Sequence, residues 1–228
     1  MNFFDGLIRE VKDCLEGFER KNYPYAERWE DVGRNTLVLK RDEAFELSGT
    51  GFNLVTSNDI GESGVTVIGN DLGEIKGETE FARISLIRMK DFADEQEAYD
   101  VIRKVEYLKY HYFPLGFMVR TYSTANQEDV RVTKSAVKSG ISFSKVGNLL
   151  ISKYLENPAV ISARIIYITE QSADFEALSK TAEKNYEITE TLNSIMKNIP
   201  LDCSACNLKP ICDEVEGMRE LHFKKSKM

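Results

Sequence analysis

Apolar residues recur with helical spacing near the start of the chain: Phe4, Leu7, Ile8, Val11, Leu15 and Phe18 fall on one side of a helix over residues 4–18, and Arg9, Glu10, Lys12 and Asp13 on the other. Cys14 stands at the margin of the apolar side and reads first as a small core residue. From about residue 35 to 90 the pattern changes to short β-rich runs: Leu37-Val38-Leu39, 52–56, 65–68 and 84–87. Seven of the fourteen glycines lie between Gly49 and Gly77, where they separate these runs as turn residues, so the region predicts a sheet with exposed loops. Ser48-Gly49-Thr50-Gly51-Phe52 holds a lone G-x-G. It lacks the third glycine of a dinucleotide loop and the Gly-Lys-Ser/Thr of a P-loop, and predicts a hairpin turn instead.

The helical period returns at Asp94, a capping side chain with Glu97 behind it, and continues through Ala98, Val101, Ile102, Val105 and Leu108. A strand is expected at 116–120 after Pro114, then one or two helices over 132–156 around Gly140. Pro158 ends them ahead of a strand at 160–169. Ser172 is placed to cap a long helix with Phe175, Leu178, Ala182, Leu192, Ile195 and Ile199 on its inner side. Strands interleaved with helices predict an α+β or α/β fold, a mixed sheet flanked by helices with a cysteine-bearing C-terminal tail. The simplest division is one α/β domain over residues 1–200, with the cysteine motif and a final helix over 201–228 packed on it.

At 228 residues and 42% apolar composition, the chain is long and apolar enough for one substantial core. Its net charge of −7 argues against general affinity for nucleic acid, which is driven by lysine and arginine releasing counterions from phosphates. The opening MNFFDGLIREVKD mixes both signs of charge and does not read as a signal peptide. Nor is any segment apolar for long enough to span a bilayer. A cytoplasmic location, no membrane partner and reduced thiols are the resulting expectations.

Reduced thiols give weight to Cys203-Ser-Ala-Cys206-Asn-Leu-Lys-Pro-Ile-Cys212, a C-x2-C-x5-C run holding three of the four cysteines. A two-residue gap lets two sulfurs converge from a turn, and the longer gap returns the third after an extended step at Pro210. A helix over 213–222, opened by Asp213 and Glu214, would favour a thiolate at Cys212 through its amino-terminal dipole. Thiolates in fours hold both iron–sulfur clusters and zinc. Cys14 is the cysteine able to complete such a set with Cys203, Cys206 and Cys212, and His222 is the other candidate fourth ligand. An iron–sulfur cluster ranks ahead of zinc, and reduced cysteines packed in an interface are the remaining alternative. His111 and His222 stand beside no nucleophile or zinc-hydrolase motif. Arg120, Arg131, Lys134, Lys138 and Lys145 form a basic stretch able to meet an anion, although such stretches are usually solvated surface.

Several phrases, in order along nearly the whole chain, resemble the middle domain of the acetyl-CoA synthase (beta) subunit of carbon monoxide dehydrogenase/acetyl-CoA synthase. They are Phe4-Asp-Gly-Leu-Ile-Arg-Glu-Val11, Val67-Ile-Gly-Asn-Asp-Leu-Gly-Glu-Ile-Lys76, Leu115-Gly-Phe-Met-Val-Arg120, Ser142-Phe143 with Gly147, Ile165-Ile-Tyr-Ile-Thr169, and Asp202-Cys203-x-x-Cys206 running to Cys212-Asp-Glu-Val-Glu-Gly-Met-Arg219. In that family a corrinoid-borne methyl group, carbon monoxide and coenzyme A are joined at a nickel–iron–sulfur centre. The family's nickel-binding cysteine pattern has no counterpart here, and neither has its amino-terminal domain. The resemblance therefore implies a stand-alone relative of the middle domain, a binding or electron-transfer accessory in anaerobic one-carbon metabolism. Its expected partners are other subunits of such a complex or a corrinoid system. The rival implications are an interaction protein with a purely structural zinc or metal-free tail, and a catalytic fragment needing a separate nickel subunit. The family's middle domain binds coenzyme A through arginines and a tryptophan; Arg120 and Arg131 match basic positions, the tryptophan is replaced near Asp129, and Trp29 lies elsewhere in the sequence.

Overall fold

The computed structural model describes residues 2–26, 29, 37–92, 94–111, 114–122, 126–197, 206, 209–215, 218 and 221. Helix α1 (Asp5–Cys14) and strand β1 (Lys21–Pro24) precede the long strand β2 (Glu43–Thr56), then β3 (Gly64–Ile68), β4 (Thr79–Met89) and helix α2 (Glu95–His111). Next come β5 (Phe117–Tyr122), β6 (Gln127–Thr133), α3 (Lys134–Lys138), α4 (Phe143–Leu155), β7 (Val160–Ile168), α5 (Phe175–Met196) and α6 (Lys209–Glu214). The seven strands form one mixed sheet in the order β1-β3-β7-β4-β2-β6-β5. The β2–β4 and β3–β7 pairs are parallel, and the other neighbours are antiparallel. This is the α+β mixed sheet that the alternation of periods predicts.

Register sorts the sheet into two faces. Phe81, Arg83 and Ser85 of β4 lie opposite Gly49, Gly51 and Asn53 of β2, and Arg83 also lies opposite Tyr167 of β7. Helix α4 covers that face: Phe143 stacks on Tyr167 with ring centroids 4.4 Å apart, and Tyr154 bonds to Asn53. On the other face, Phe52 and Leu54 of β2 sit beside Ile84 and Leu86 of β4, all buried, under α5 and α1. The Thr56 hydroxyl ties the end of β2 to α1 by donating to Asp5 at 2.7 Å. Helix α2 packs on β5 and α4 and also touches α5.

Several local expectations are corrected. Residues 48–52 are not a turn but the middle of β2, where two glycines let neighbouring groups approach the backbone. Leu37-Val38-Leu39 is not a strand: Val38 alone is buried, and its amide donates to the Met118 sulfur at 3.4 Å rather than to a ladder carbonyl. The cap of α5 is Asp174, whose carboxylate accepts from the Ala177 amide at 2.9 Å, while the Ser172 hydroxyl donates instead to Glu170. Pro210 makes no extended step, because α6 begins at Lys209 and takes the proline into its first turn, where a missing N–H costs nothing. Asp213 and Glu214 consequently close this helix instead of opening it, and Cys212 lies inside it rather than ahead of its amino end. Strands β1 and β6 and the polar core beneath β6 are not signalled by the apolar pattern.

Candidate functional site

The two candidate arginines lie on neighbouring strands. In the antiparallel β5–β6 pair Arg120 is opposite Asp129 and Met118 is opposite Arg131, so the guanidinium groups share one face of the sheet edge. Their surroundings differ. Arg131 Nε sits 2.5 Å from Glu46 and 3.3 Å from Glu43, both on β2. The Glu46 hydrogen bond comes first among the causes that raise the arginine pKa, and the same bond lowers that of the carboxylate. Arg120 is exposed and donates to the Tyr122 hydroxyl, with its guanidinium 5.6 Å from the centre of that ring. Asp129 accepts a 2.9 Å bond from Ser48. Of the two cations, Arg120 is thus the one not already held between carboxylates.

The rest of the basic stretch does not converge on this face. Lys134 reaches the Arg41 carbonyl, and Lys145 donates to the Gly140 carbonyl while lying 5.9 Å over the Trp29 ring. Trp29 itself donates to the Leu115 carbonyl at 2.7 Å, which makes it a clamp on the entry to β5.

Elsewhere, α5 brings α1 and α6 together. Lys184 of α5 lies 3.4 Å from Glu10 of α1 and 3.5 Å from Glu214 of α6. Cys14 and Cys212 are both partly buried against the core. Burial, and then the charge of Asp174, push the Cys14 thiol pKa up. Among the described residues no group of three His, Cys, Asp or Glu side chains could hold a metal ion. Cys203 and His222 lie outside the described residues, and the side chain of His111 is not described. Cys14, Cys206 and Cys212 are not among any such group of three in the described residues.

The most concentrated polar chemistry is in the core, and the apolar pattern gave no notice of it. Arg83 and Glu128 are 4% and 1% exposed and face each other at 2.8 Å. The guanidinium Nε also bonds the same carboxylate, while one terminal nitrogen reaches Asn53 at 3.2 Å and Ser85 at 2.7 Å. Tyr154 of α4 donates to Asn53, and its phenol pKa is raised, mainly by burial. Beside this cluster Lys109, 7% exposed, donates to Asn126 at 3.0 Å and pairs with Glu106 at 2.9 Å. A charged residue within the run Phe81-Ala-Arg-Ile-Ser-Leu-Ile87 was the available signal, since a strand that apolar buries an arginine only beside a partner.

No curated protein matches the chain at a significant level. A family model does match, over residues 32–173, and is described as the CO dehydrogenase/acetyl-CoA synthase complex beta subunit. The matched span runs from before β2 to the end of the β7–α5 connection, so it takes in the central strands, Arg120, Arg131 and the Arg83–Glu128 pair. All four cysteines lie outside it. As the match covers more than half of the chain, the protein belongs to the family of the CO dehydrogenase/acetyl-CoA synthase complex beta subunit.

Proposed function

We propose that this chain is a binding unit of a CO dehydrogenase/acetyl-CoA synthase type of system, an accessory in acetyl-CoA and one-carbon metabolism. The observation that carries this reading is the place of Arg120: an exposed guanidinium next to the Tyr122 ring, on a sheet edge inside the span shared with the family. Arginine suits phosphate because its planar fork donates two parallel bonds, and a tyrosine ring offers a surface for an aromatic base. Asp129 on the same face opposes a polyphosphate, so the contact with coenzyme A is weak. Titration calorimetry with coenzyme A tests it. Binding should be modest and should decline with salt, and Arg120→Ala should weaken it by more than Arg131→Ala, because Arg131 is already neutralised by Glu43 and Glu46. Tight binding indifferent to both substitutions would place the ligand elsewhere.

A second element of the proposal concerns the tail. The C-x2-C-x5-C spacing supports a thiolate-bound centre, with an iron–sulfur cluster ahead of zinc and Cys14 as the fourth ligand. The pairing of Lys184 with Glu10 of α1 and with Glu214 of α6 keeps these two helices beside one another on α5, which supports a centre shared between Cys14 and the tail. Protein purified without oxygen should contain stoichiometric iron with broad visible absorption. Each of Cys203→Ser, Cys206→Ser and Cys212→Ser should remove most of the metal. A colourless protein with one zinc would make the centre structural, and unchanged metal in all three variants would remove it from the tail. The expected subunit or corrinoid partners follow from the family and are tested by copurification with the metal-loaded chain.

A further inference from the structure

A cavity of about 10 Å³ lies in the core, with Arg83, Glu128, Tyr167 and Lys109 on its polar side and Phe117, Val119 and Leu150 on its apolar side. It is independent of the Arg120 face and of the cysteines. Register explains the polar side. Arg83 of β4 lies opposite Tyr167 of β7 in one pair and opposite Gly51 of β2 in the other, so these positions share one face of the sheet. Gly51 has no side chain, and a Cβ there would stand 1.7 Å from the Glu128 carboxylate oxygen. Arg83 can therefore reach across β2 to Glu128 of β6, and Tyr167 joins them from the other side.

Each of these three side chains keeps hydrogen-bonding capacity that its protein partners do not use. A guanidinium has five N–H donors. In Arg83 the Nε group and Nη2 each bond Glu128, while Nη1 spends both of its hydrogens on Asn53 and Ser85, which leaves one N–H on Nη2. Glu128 Oε1 accepts from Arg83 Nε alone, at 2.9 Å, although a carboxylate oxygen can take two donors. Tyr167 is 1% exposed, and its hydroxyl bonds no group among the described residues. Nor is that oxygen sealed in, as Asn185 Oδ1 is, without either a partner or any accessible surface. Burial, offset in part by the Arg83 charge, pushes the phenol pKa up, so the hydroxyl keeps a proton to donate.

Size and charge select the occupant. About 10–15 Å³ is the least that holds one water, which in a protein interior needs two to four polar partners. No organic ligand fits. Lys109 is bonded to Asn126 and to Glu106, so the two cations beside the cavity are matched by two carboxylates, and an ion would bring unbalanced charge into a buried space. Water carries no charge and offers both kinds of hydrogen bond: it can accept from the spare Arg83 N–H, donate to Glu128 and bond the Tyr167 hydroxyl either way. Phe117, Val119 and Leu150, all buried, screen it from bulk solvent.

We infer that one internal water occupies this cavity, bridging the Tyr167 hydroxyl to Arg83 and Glu128 and so tying β7 to the ion pair between β4 and β6. A crystal structure of the parent should show a single peak within hydrogen-bond distance of Tyr167 Oη and Glu128 Oε1. In solution, magnetic relaxation dispersion of the water oxygen counts long-lived molecules and is blind to exchanging hydroxyl protons. Val119→Ile adds a methylene to the apolar side, and Tyr167→Phe removes one anchor. Each should lower the dispersion amplitude by the contribution of one water, with the amide spectrum confirming that the variant is folded. The crystal structure decides the matter where a variant does not fold. An empty cavity in the crystal, density heavier than oxygen, a direct Tyr167–Glu128 bond, or an amplitude unchanged in both folded variants would overturn the assignment.

Discussion

Glu128→Gln will destabilise the protein by roughly 3–5 kcal/mol, the usual cost of leaving one partner of a buried ion pair without its counter-charge. The substitution keeps the shape of the side chain but removes the charge that faces Arg83 at 2.8 Å in a site from which bulk water is excluded. Arg83 cannot answer by losing its proton. Its pKa is raised well above the usual arginine range: burial, the largest influence, opposes the charge, but the attraction of Glu128, with smaller contributions, outweighs it. Urea unfolding is the measurement, with a lowered midpoint at unchanged slope. The double variant Arg83→Met/Glu128→Leu should lie closer to the parent than Glu128→Gln alone, since a well-packed apolar pair replaces a buried ion pair at little net cost. A loss below about 1 kcal/mol for Glu128→Gln, the scale of an exposed pair, would show that bulk water reaches the cluster.

Gly49→Ala should be at least as severe. A Cβ on Gly49 would stand 1.7 Å from the Phe81 carbonyl oxygen and 2.8 Å from its carbon. Those are backbone atoms of β4, fixed by pairing with β2 on one side and β7 on the other, so relief requires moving the middle of the sheet. Overpacking of this kind typically costs about 1–3 kcal/mol and more where the backbone must yield, so the variant should lose ~3 kcal/mol or fail to fold. Gly73→Ala is the control: nothing lies within 4 Å of its Cβ position, and its stability should stay within roughly 0.5 kcal/mol of the parent. Equal behaviour of the two variants in thermal unfolding would contradict the packing described for β2.

The contrast between these glycines shows where reading the sequence succeeds. Elements with a strong period were legible: α1, α2, α4, β7 and α5 appear close to where their apolar residues place them. Gly140 does divide α3 from α4, with φ 77°. Ser48–Phe52 was misread because two glycines in five residues signal a turn locally, whereas here they answer a tertiary demand: the space is taken by the Phe81 carbonyl and the Glu128 carboxylate. Such a demand leaves no trace in local periodicity. The α5 cap was displaced by two residues because Ser172 and Asp174 are both capable of capping and only packing selects between them. Strand β6 was hidden by its polar side chains, Gln127, Glu128, Asp129 and Arg131, whose partners lie on β2 and β4. The arginines at the sheet edge were singled out through the family resemblance, and the cysteines through their spacing. Neither route could reveal that Glu43 and Glu46 occupy Arg131, or that burial and Asp174 raise the Cys14 thiol pKa.

Strand order also sets a timetable for folding. Strand β7 joins β3 to β4, so until residues 160–168 are in place the sheet exists as two unconnected parts, β1-β3 and β4-β2-β6-β5. Apart from β5 and β6, no neighbouring strands in the sheet are consecutive in sequence. Contacts of such long sequence separation close late and slowly. On the ribosome the nascent chain must therefore carry an open β3–β4 seam until β7 has emerged. During that interval the exposed edges of β3 and β4 are the surfaces on which a chaperone would act, and on which two unfinished chains would stick to each other.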